Sequence, residues 1–244
     1  MARAQGRTVA TRKGGKGARR RRPVRRVLTW MLRGGMVTGV LIVALVALFG
    51  RVDPPPGIYM VQERQRLGTV QRDWVPMPAI SPHMARSAVA AEDANFCLHW
   101  GFDMAEIRRA MDAGGRRGAS TISQQTAKNV FLWHGRSWPR KAAEALLTPV
   151  IEATWSKRRI LEVYLNVAEF DAGVFGVEAA ARHYFGTTAA GLTALQSARL
   201  AAILPDPKGR DAARPSSFVQ RRSSAIMDGA ATIARDGRAA CFER

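Results

Sequence analysis

Acidic residues are missing from the start of this 244-residue chain; the first is Asp53. Twelve Lys and Arg fall between Met1 and Arg33, including Arg19 to Arg22, Arg25 and Arg26. They carry most of the net charge of +19 and leave +7 for the rest, 26 basic side chains against 19 acidic. Cations without acids or apolar neighbours can build neither ion pairs nor a core, so residues 1–26 read as a disordered basic tail. No aromatic precedes Trp30, so the tail lacks the stacking groups that single-stranded nucleic-acid binding uses. Cysteine is equally scarce. Two residues, Cys97 and Cys241, exclude a disulfide-dense scaffold and have no metal-ligand spacing. An oxidising compartment would allow them to pair, but their separation in sequence leaves a disulfide and two free thiols both open. No internal repeat and no alternating strand pattern of length is present.

Against these absences stands one long apolar run. Gly34 to Phe49 carries no charge, and extending it back through Val27, Leu28, Trp30, Met31 and Leu32 gives about 23 residues, enough to cross a bilayer of roughly 30 Å. Arg33 then reaches back to the interface along its own stem. Residues 27–50 are therefore expected to be a single transmembrane anchor. A cleaved signal peptide fits less well, because Leu48-Phe49-Gly50 offers no small-x-small site. Cations beside the span predict a cytoplasmic N-terminus and an exported domain from Arg51 onward. The tail is thus read as a topology determinant, not a nucleic-acid binder.

Beyond the span, Asp53-Pro54-Pro55-Pro56-Gly57 predicts a stiff, non-helical spacer. Residues 51–74 form a linker and entry segment in which a polar stretch to Gln71 is expected to hold a strand or two. From Ser81-Pro82, a cap followed by a first-turn proline, the pattern turns helical. Further helices are predicted over 103–113, 120–130, 138–154, 156–166, 173–184, 192–203 and 215–234, making residues 75–244 a mainly α domain. Gly114 to Gly118, with Arg116 and Arg117, reads as a positively charged loop.

Several residues on these helices have chemical potential. Glu92 closes an alanine-rich helix, and Phe96 and His99 would share its face at i+4 and i+7. A carboxylate beside an aromatic is partly desolvated, which makes it a better base; a solvated helix-end acid is the plainer reading. Asp93 is expected to make local backbone or Arg contacts, and His99 to pack as a structural histidine. Ser120 is a candidate N-cap with Ser123 and Gln124 in a loose capping box, and Gln125 and Lys128 lie on one face of that helix. A capped surface helix and an anion site both remain open there. Arg140 and Glu144 have the spacing of an intrahelical ion pair, yet with Arg136 and Lys141 they also form a cationic cluster suited to a phosphoryl group. Glu162 and Asn166 are expected to brace neighbouring helices.

In combination, these blocks resemble the motifs of the glycosyltransferase family 51 peptidoglycan polymerases. The matching segments are Glu92-Asp93-x-x-Phe96-x-x-His99-x-Gly101, Gly118-x-Ser120-Thr121-Ile122-x-Gln124-Gln125-x-x-Lys128-Asn129, Arg140-Lys141-x-x-Glu144 and Lys157-x-x-Ile160-Leu161-Glu162-x-Tyr164-Leu165-Asn166. A looser block runs from Ala198 to Pro205. Ala119, Ser123 and Thr126 depart from the usual residues, none at an expected catalytic position.

The resemblance implies a lysozyme-like transglycosylase domain that polymerises lipid II at the cytoplasmic (inner) membrane, with the catalytic domain on the outer, periplasmic side. Glu92 matches the family's base, which takes the proton from the acceptor's 4-hydroxyl as that oxygen attacks the anomeric carbon of the growing strand. Configuration inverts, and undecaprenyl pyrophosphate leaves. Glu144 matches the second carboxylate, associated with the donor site and with a divalent cation (Mg or Mn) on the pyrophosphate; no organic cofactor is implied. Ser120, Thr121, Gln125, Lys128, Asn129, Arg140 and Lys141 match substrate-binding positions. The implied partners are lipid II, the growing glycan strand, membrane lipid and proteins of cell-wall synthesis or division, with no nucleic acid. The resemblance ends near residue 215, with about 30 residues after it, and neither Ser-x-x-Lys nor Lys-Thr-Gly occurs, so a monofunctional enzyme without transpeptidase chemistry is expected. Two other classes use similar residues: a lysozyme-like lytic enzyme cleaving the same glycan, and a non-catalytic envelope-binding protein. The cationic cluster favours synthesis over lysis, and the presence of both Glu92 and Glu144 argues against a mere binder.

Overall fold

A computed structural model describes residues 21–243 except 115–117, 119 and 136, without the side chains of 21–24. The basic tail before Arg21, the Arg116–Arg117 loop, Ala119 and Arg136 therefore lie outside the described residues. The chain divides into two compact units, Met1–Ala44 and Leu45–Arg244.

The first unit is most of one helix, α1 (Arg21–Phe49). Its Val27, Leu28, Trp30, Met31, Leu32, Met36, Val40 and Leu41 are exposed. A helix apolar on all sides and uncovered by protein is suited to lipid, and the stretch Arg25–Phe49 is long and apolar enough to cross a membrane. Only its last turn belongs to the second unit. There Val46 is fully buried, its carbonyl accepts a 2.7 Å hydrogen bond from Trp155 Nε1, and the Arg159 guanidinium donates to the Phe49 carbonyl. Carbonyls at a helix end have no partner within the helix, and these two side chains supply partners.

The second unit is mainly α. The segment Asp53–Gly57 has no regular structure, as its prolines dictate, but it is a strap on the domain and not a free spacer. Pro54 and Gly57 are buried, Arg72 donates to the Pro54 carbonyl, and a Cβ on Gly57 would stand 2.2 Å from the Asn129 carbonyl oxygen. Where a strand was expected, residues Ile58–Leu67 form a helix, α2. Its helix formers Gln62 to Leu67, the i,i+3 pair Glu63–Arg66 and the positive-φ Gly68 that ends it explain why. A two-residue strand, β1 (Gln71–Arg72), follows.

Helix α3 (Pro82–Glu92) packs against α9 (Ala194–Ile203) and α10 (Ser217–Arg235). Helices α5 (Ile122–Phe131), α6 (Trp138–Thr154) and α7 (Lys157–Val167) form a second group. Between them come α4 (Met104–Asp112) and, after α7, α8 (Val177–Phe185). The middle of α7 is the centre of the core, with Ile160, Leu161, Val163, Tyr164 and Leu165 all essentially inaccessible. The helix expected from residue 173 starts only at Val177, because Glu169–Asp171 (β2) and Val174–Phe175 (β3) turn back in a hairpin. The small sheet has the order β1-β3-β2, with β1 parallel and β2 antiparallel to β3. Gly176 leaves it with φ of 86°, where a Cβ would stand 3.0 Å from the Asn166 carbonyl oxygen; no other residue fits there without strain.

Two bracing residues differ from expectation. Asn166 and Glu162 hold the Val75–Met77 segment that leads into α3, not neighbouring helices. Asn166 bonds both the N–H and the carbonyl of Val75, and Glu162 accepts from the Met77 N–H. The chain ends in a short helix, α11 (Ala240–Glu243), joined to the turn after α3 by a Cys97–Cys241 disulfide with Cα atoms 5.7 Å apart.

Candidate active site

Helix α3 delivers Glu92 as its last residue, and Asp93 ends the helix. The helix starts with Pro82 in its first turn, but Ser81 makes no side-chain cap; its hydroxyl donates to the Leu192 carbonyl instead. Beyond Asp93 the chain turns, so Phe96 and His99 do not continue a helical face with Glu92. Phe96 enters the core. Asp93 is buried and reaches across to α5, where its Oδ2 accepts from the Ile122 N–H at 3.0 Å. Its Oδ1 meets His99 Nε2 at 2.7 Å, while His99 Nδ1 accepts from the Gly101 N–H. The imidazole therefore carries its proton on Nε2 and donates it to Asp93. His99 is a structural histidine, and Asp93 makes long-range contacts, not the local ones expected.

Helix α5 begins one residue later than its sequence suggests. Thr121, not Ser120, is the N-cap, and it forms a capping box with Gln124. The Thr121 hydroxyl also donates to the Gly101 carbonyl at 2.7 Å, tying the helix start to the Asp93–Gly101 turn. Ser120 is left to accept a hydrogen bond from Lys141 Nζ at 3.2 Å. One turn into the helix, Gln125 Nε2 donates to Glu92 Oε2 at 2.9 Å, and Gln125 Oε1 accepts from the Tyr164 hydroxyl at 3.4 Å. Tyr164 thus orients the amide so that its N–H side faces the carboxylate. Burial raises the Glu92 carboxyl above the usual carboxylate range, opposed by the Gln125 hydrogen bond and the charges of Arg222 and Lys128.

A cationic group lies further along α5 and on α6. Burial lowers the Lys128 ammonium, and the charges of Arg140 and Lys141 act in the same direction against Glu144 and Glu92. An anion brought beside Lys128 would relieve that penalty. Glu144 is buried, with Arg140 donating to its Oε2 at 2.6 Å and Lys141 Nζ paired with Oε1. The ion pair expected from spacing is present, and it fixes both cations. Because two cations already engage both oxygens, Glu144 does not fit a ligand for a divalent ion, and no group of three or more His, Cys, Asp or Glu that could hold a metal occurs among the described residues.

Two cavities adjoin the Glu92–Gln125 contact. One of about 220 Å³ is lined by Glu92, Asp93, Glu106, Ser120 and Thr121. The other, about 330 Å³, is lined by Gln125, Lys128, Asn129, Tyr59, His134 and Lys208 among others. Asn129 Oδ1 lies 3.1 Å from His134 Nε2, and the His134 ring stacks on Tyr59 at 3.6 Å. Burial and the charges of Lys128 and Arg140 lower His134 to about 4, so it is neutral at pH 7. Burial raises Tyr59 to about 12, so it keeps its proton beside Lys208. The sequence-predicted residues Glu92, Ser120, Thr121, Gln125, Lys128, Asn129, Arg140, Lys141 and Glu144 are thus brought together from three helices. Tyr59, His134 and Lys208 are not legible in the sequence: none lies in a motif, and Tyr59 stands on α2, within the polar stretch expected to hold a strand or two. Tyr164, part of the Lys157–Asn166 block, is buried in the core with only its hydroxyl engaged at the site.

The comparisons with known proteins agree on a single family. The family model described as Transglycosylase matches residues 60–231. A biosynthetic peptidoglycan transglycosylase of Jannaschia sp. (strain CCS1) is 62% identical over 213 residues, 87% of this chain and 89% of the relative. Proteins of the same name from Rhodospirillum centenum (strain ATCC 51521 / SW) and Xanthomonas campestris pv. campestris (strain B100) are 50% and 47% identical, each covering more than four-fifths of both chains.

Proposed function

The chain belongs to the transglycosylase family, and we propose that, as a peptidoglycan glycosyltransferase, it transfers a growing lipid-linked glycan to the 4-hydroxyl of lipid II. The observation that carries this reading is the 2.9 Å Glu92–Gln125 contact, with a carboxylate raised by burial on one side and three cations on the other.

Glu92 acts as the general base. A carboxyl raised toward neutrality is better matched to removing a hydroxyl proton at working pH. As the acceptor O4–H bond breaks, its proton passes to Glu92 and the oxygen forms a bond to the donor's anomeric carbon. The bond from that carbon to the pyrophosphate breaks on the opposite face, so configuration inverts. Charge then develops on the leaving undecaprenyl pyrophosphate, where Lys128, Arg140 and Lys141 supply fixed positive charge. Glu144 keeps the two α6 cations in place, and Ser120 holds Lys141 from the other side. Gln125 orients Glu92, Asn129 lines the neighbouring cavity, and Thr121 secures the start of their helix.

The anchor, α1, suits an enzyme whose substrate has a lipid tail. With its basic tail in the cytoplasm, the domain would stand on the outer face of the inner membrane. Lytic cleavage is the second reading, but hydrolysis of glycan releases no pyrophosphate for three cations to stabilise.

Incubating the purified protein with lipid II and resolving the products on a glycan gel tests the proposal. Long glycan strands are expected. Shortening of pre-made glycan would assign lysis, and no change in either would assign binding alone.

A further inference from the structure

The turn that follows Glu92 is held from two sides. On one side Asp93 joins it to the start of α5, and Asn95 donates to Asp103 at 2.8 Å. On the other side the C-terminal segment holds the last turn of α3 at one point and the turn beyond it at three. Arg222 reaches the Ala91 carbonyl at 3.5 Å, and Arg238 donates to the Ala94 carbonyl at 3.1 Å. Phe242 lies with its ring centroid 6.4 Å from that of Phe96, both fully buried. The fourth grip is covalent, the Cys97–Cys241 disulfide five residues beyond the carboxylate. Apolar burial of Val219, Ile226, Ile233 and Phe242 keeps the C-terminal segment on the domain independently of the disulfide. What the covalent bond adds is local: it limits how far the 93–97 turn can drift.

We propose that the Cys97–Cys241 disulfide is a positioning element of the transfer reaction, clamping the turn after Glu92 so that this carboxylate stays against Gln125. The inference rests on the reading of Glu92 as the base. Misplacing a catalytic group by about 1 Å can cost on the order of a hundredfold in rate, so a clamp of this kind acts on turnover before it acts on substrate affinity. Both cysteines are only half-buried, so a small dithiol can reach them. Reduction transfers the dithiol's two thiol hydrogens to Cys97 and Cys241 and leaves the reagent as a cyclic disulfide.

The test compares the full-length oxidised protein, the same protein treated with dithiothreitol, and the C97S/C241S double variant, in detergent with lipid II. Reduction is expected to lower kcat by about tenfold with KM unchanged and with native helical circular dichroism. The double variant should show the same low rate and ignore the reductant; reoxidation should restore the wild-type enzyme. The acid limb of the pH–rate profile should move to lower pH, because a looser turn lets water reach Glu92. The charged and titratable groups around it, Asp93, Glu106, Lys128, Tyr164 and Arg222, are untouched by the treatment. An undiminished kcat after reduction and in the double variant overturns the proposal. So does an unmoved acid limb, or a loss of helical signal, which would assign the bond to the fold as a whole. Glu92→Gln measured in parallel separates the two ideas: a retained rate there removes the base reading whatever the disulfide does.

Discussion

Glu92 and Gln125 are 33 residues apart in the chain, yet the Gln125 amide donates to the Glu92 carboxylate at 2.9 Å. The contact joins the end of α3 to the first turns of α5, and Tyr164 beneath it fixes which way the amide faces. One helix supplies the carboxylate and another the amide, so the site exists only when α3, packed on α9 and α10, meets α5, packed on α6 and α7.

The first prediction concerns that carboxylate. Burial raises Glu92, so the fold favours its protonated form; the resulting stability is present at low pH and is lost as pH rises through the raised value. Glu92→Gln mimics the protonated form and keeps an oxygen for Gln125. Polymerisation should fall by on the order of a thousandfold, the range of a lost general base. The melting temperature at pH 7 should rise by about 2 °C, as expected for a gain under 1 kcal/mol in a domain of this size. Glycan gels and thermal denaturation read the two effects separately.

The α6 cations give the second. In Glu144→Gln, Arg140 and Lys141 lose the charge that orients them, and the transfer rate should drop by about a hundredfold, as when a preorganised stabilising group is lost. Arg140→Ala removes one of two partners of a buried carboxylate. Because Lys141 remains, the cost in stability should be about 1–2 kcal/mol, below the 3–5 kcal/mol of a charge left wholly unpaired. Chemical denaturation measures the second effect, and a fluorescent lipid II analogue followed over time measures the first.

His134 carries a pH signature. Its folded value of about 4 lies below the ordinary 6.5. A depressed histidine contributes stability that is complete above pH 6.5 and is lost as pH falls from there toward 4. Phe at this position keeps the stack on Tyr59 but cannot take up a proton. Between pH 7 and 4.5, His134→Phe should lose less stability than the wild type, by on the order of 1 kcal/mol after allowance for solvent screening at a half-buried ring. Melting temperatures across that range check it.

The start of α5 supplies the last. Thr121 is the cap and Ser120 is not, so Thr121→Val should cost about 1–2 kcal/mol while Ser120→Ala stays within about 0.5 kcal/mol. Ser120→Ala should instead weaken donor binding through Lys141, which the Ser120 hydroxyl holds. Denaturant titrations and analogue binding on both variants distinguish the two roles.

Much of the fold follows from local pattern. The Pro82 start, the alanine-rich run to Glu92 and the apolar spacing of Ile160, Leu161, Tyr164 and Leu165 specify helices without reference to anything distant. Residues 138–154 form the expected helix end to end. Local pattern misled where one residue decides. Ser120 and Thr121 are both good caps, and only docking of the Thr121 hydroxyl on Gly101 selects between them. The polar stretch to Gln71, expected to hold a strand or two, is helical over Ile58–Leu67 and extended only at Gln71–Arg72; the helix is held by burial of Met60 and by Glu63, which is paired with Arg66 and Lys208.

What the sequence determined by itself is the inventory: an anchor long enough for a bilayer, a mainly helical domain, and the acids, amides and cations of the site. Helical period and composition are local properties, and they survive without the fold. What only the tertiary structure decided is which of those groups meet. The reach of Gln125 to Glu92, the Tyr59–His134 stack and the closure of Cys97 on Cys241 are contacts between segments distant in the chain. No period in the sequence encodes them, because they depend on how helices dock around α7, and docking is set by the summed packing of the core.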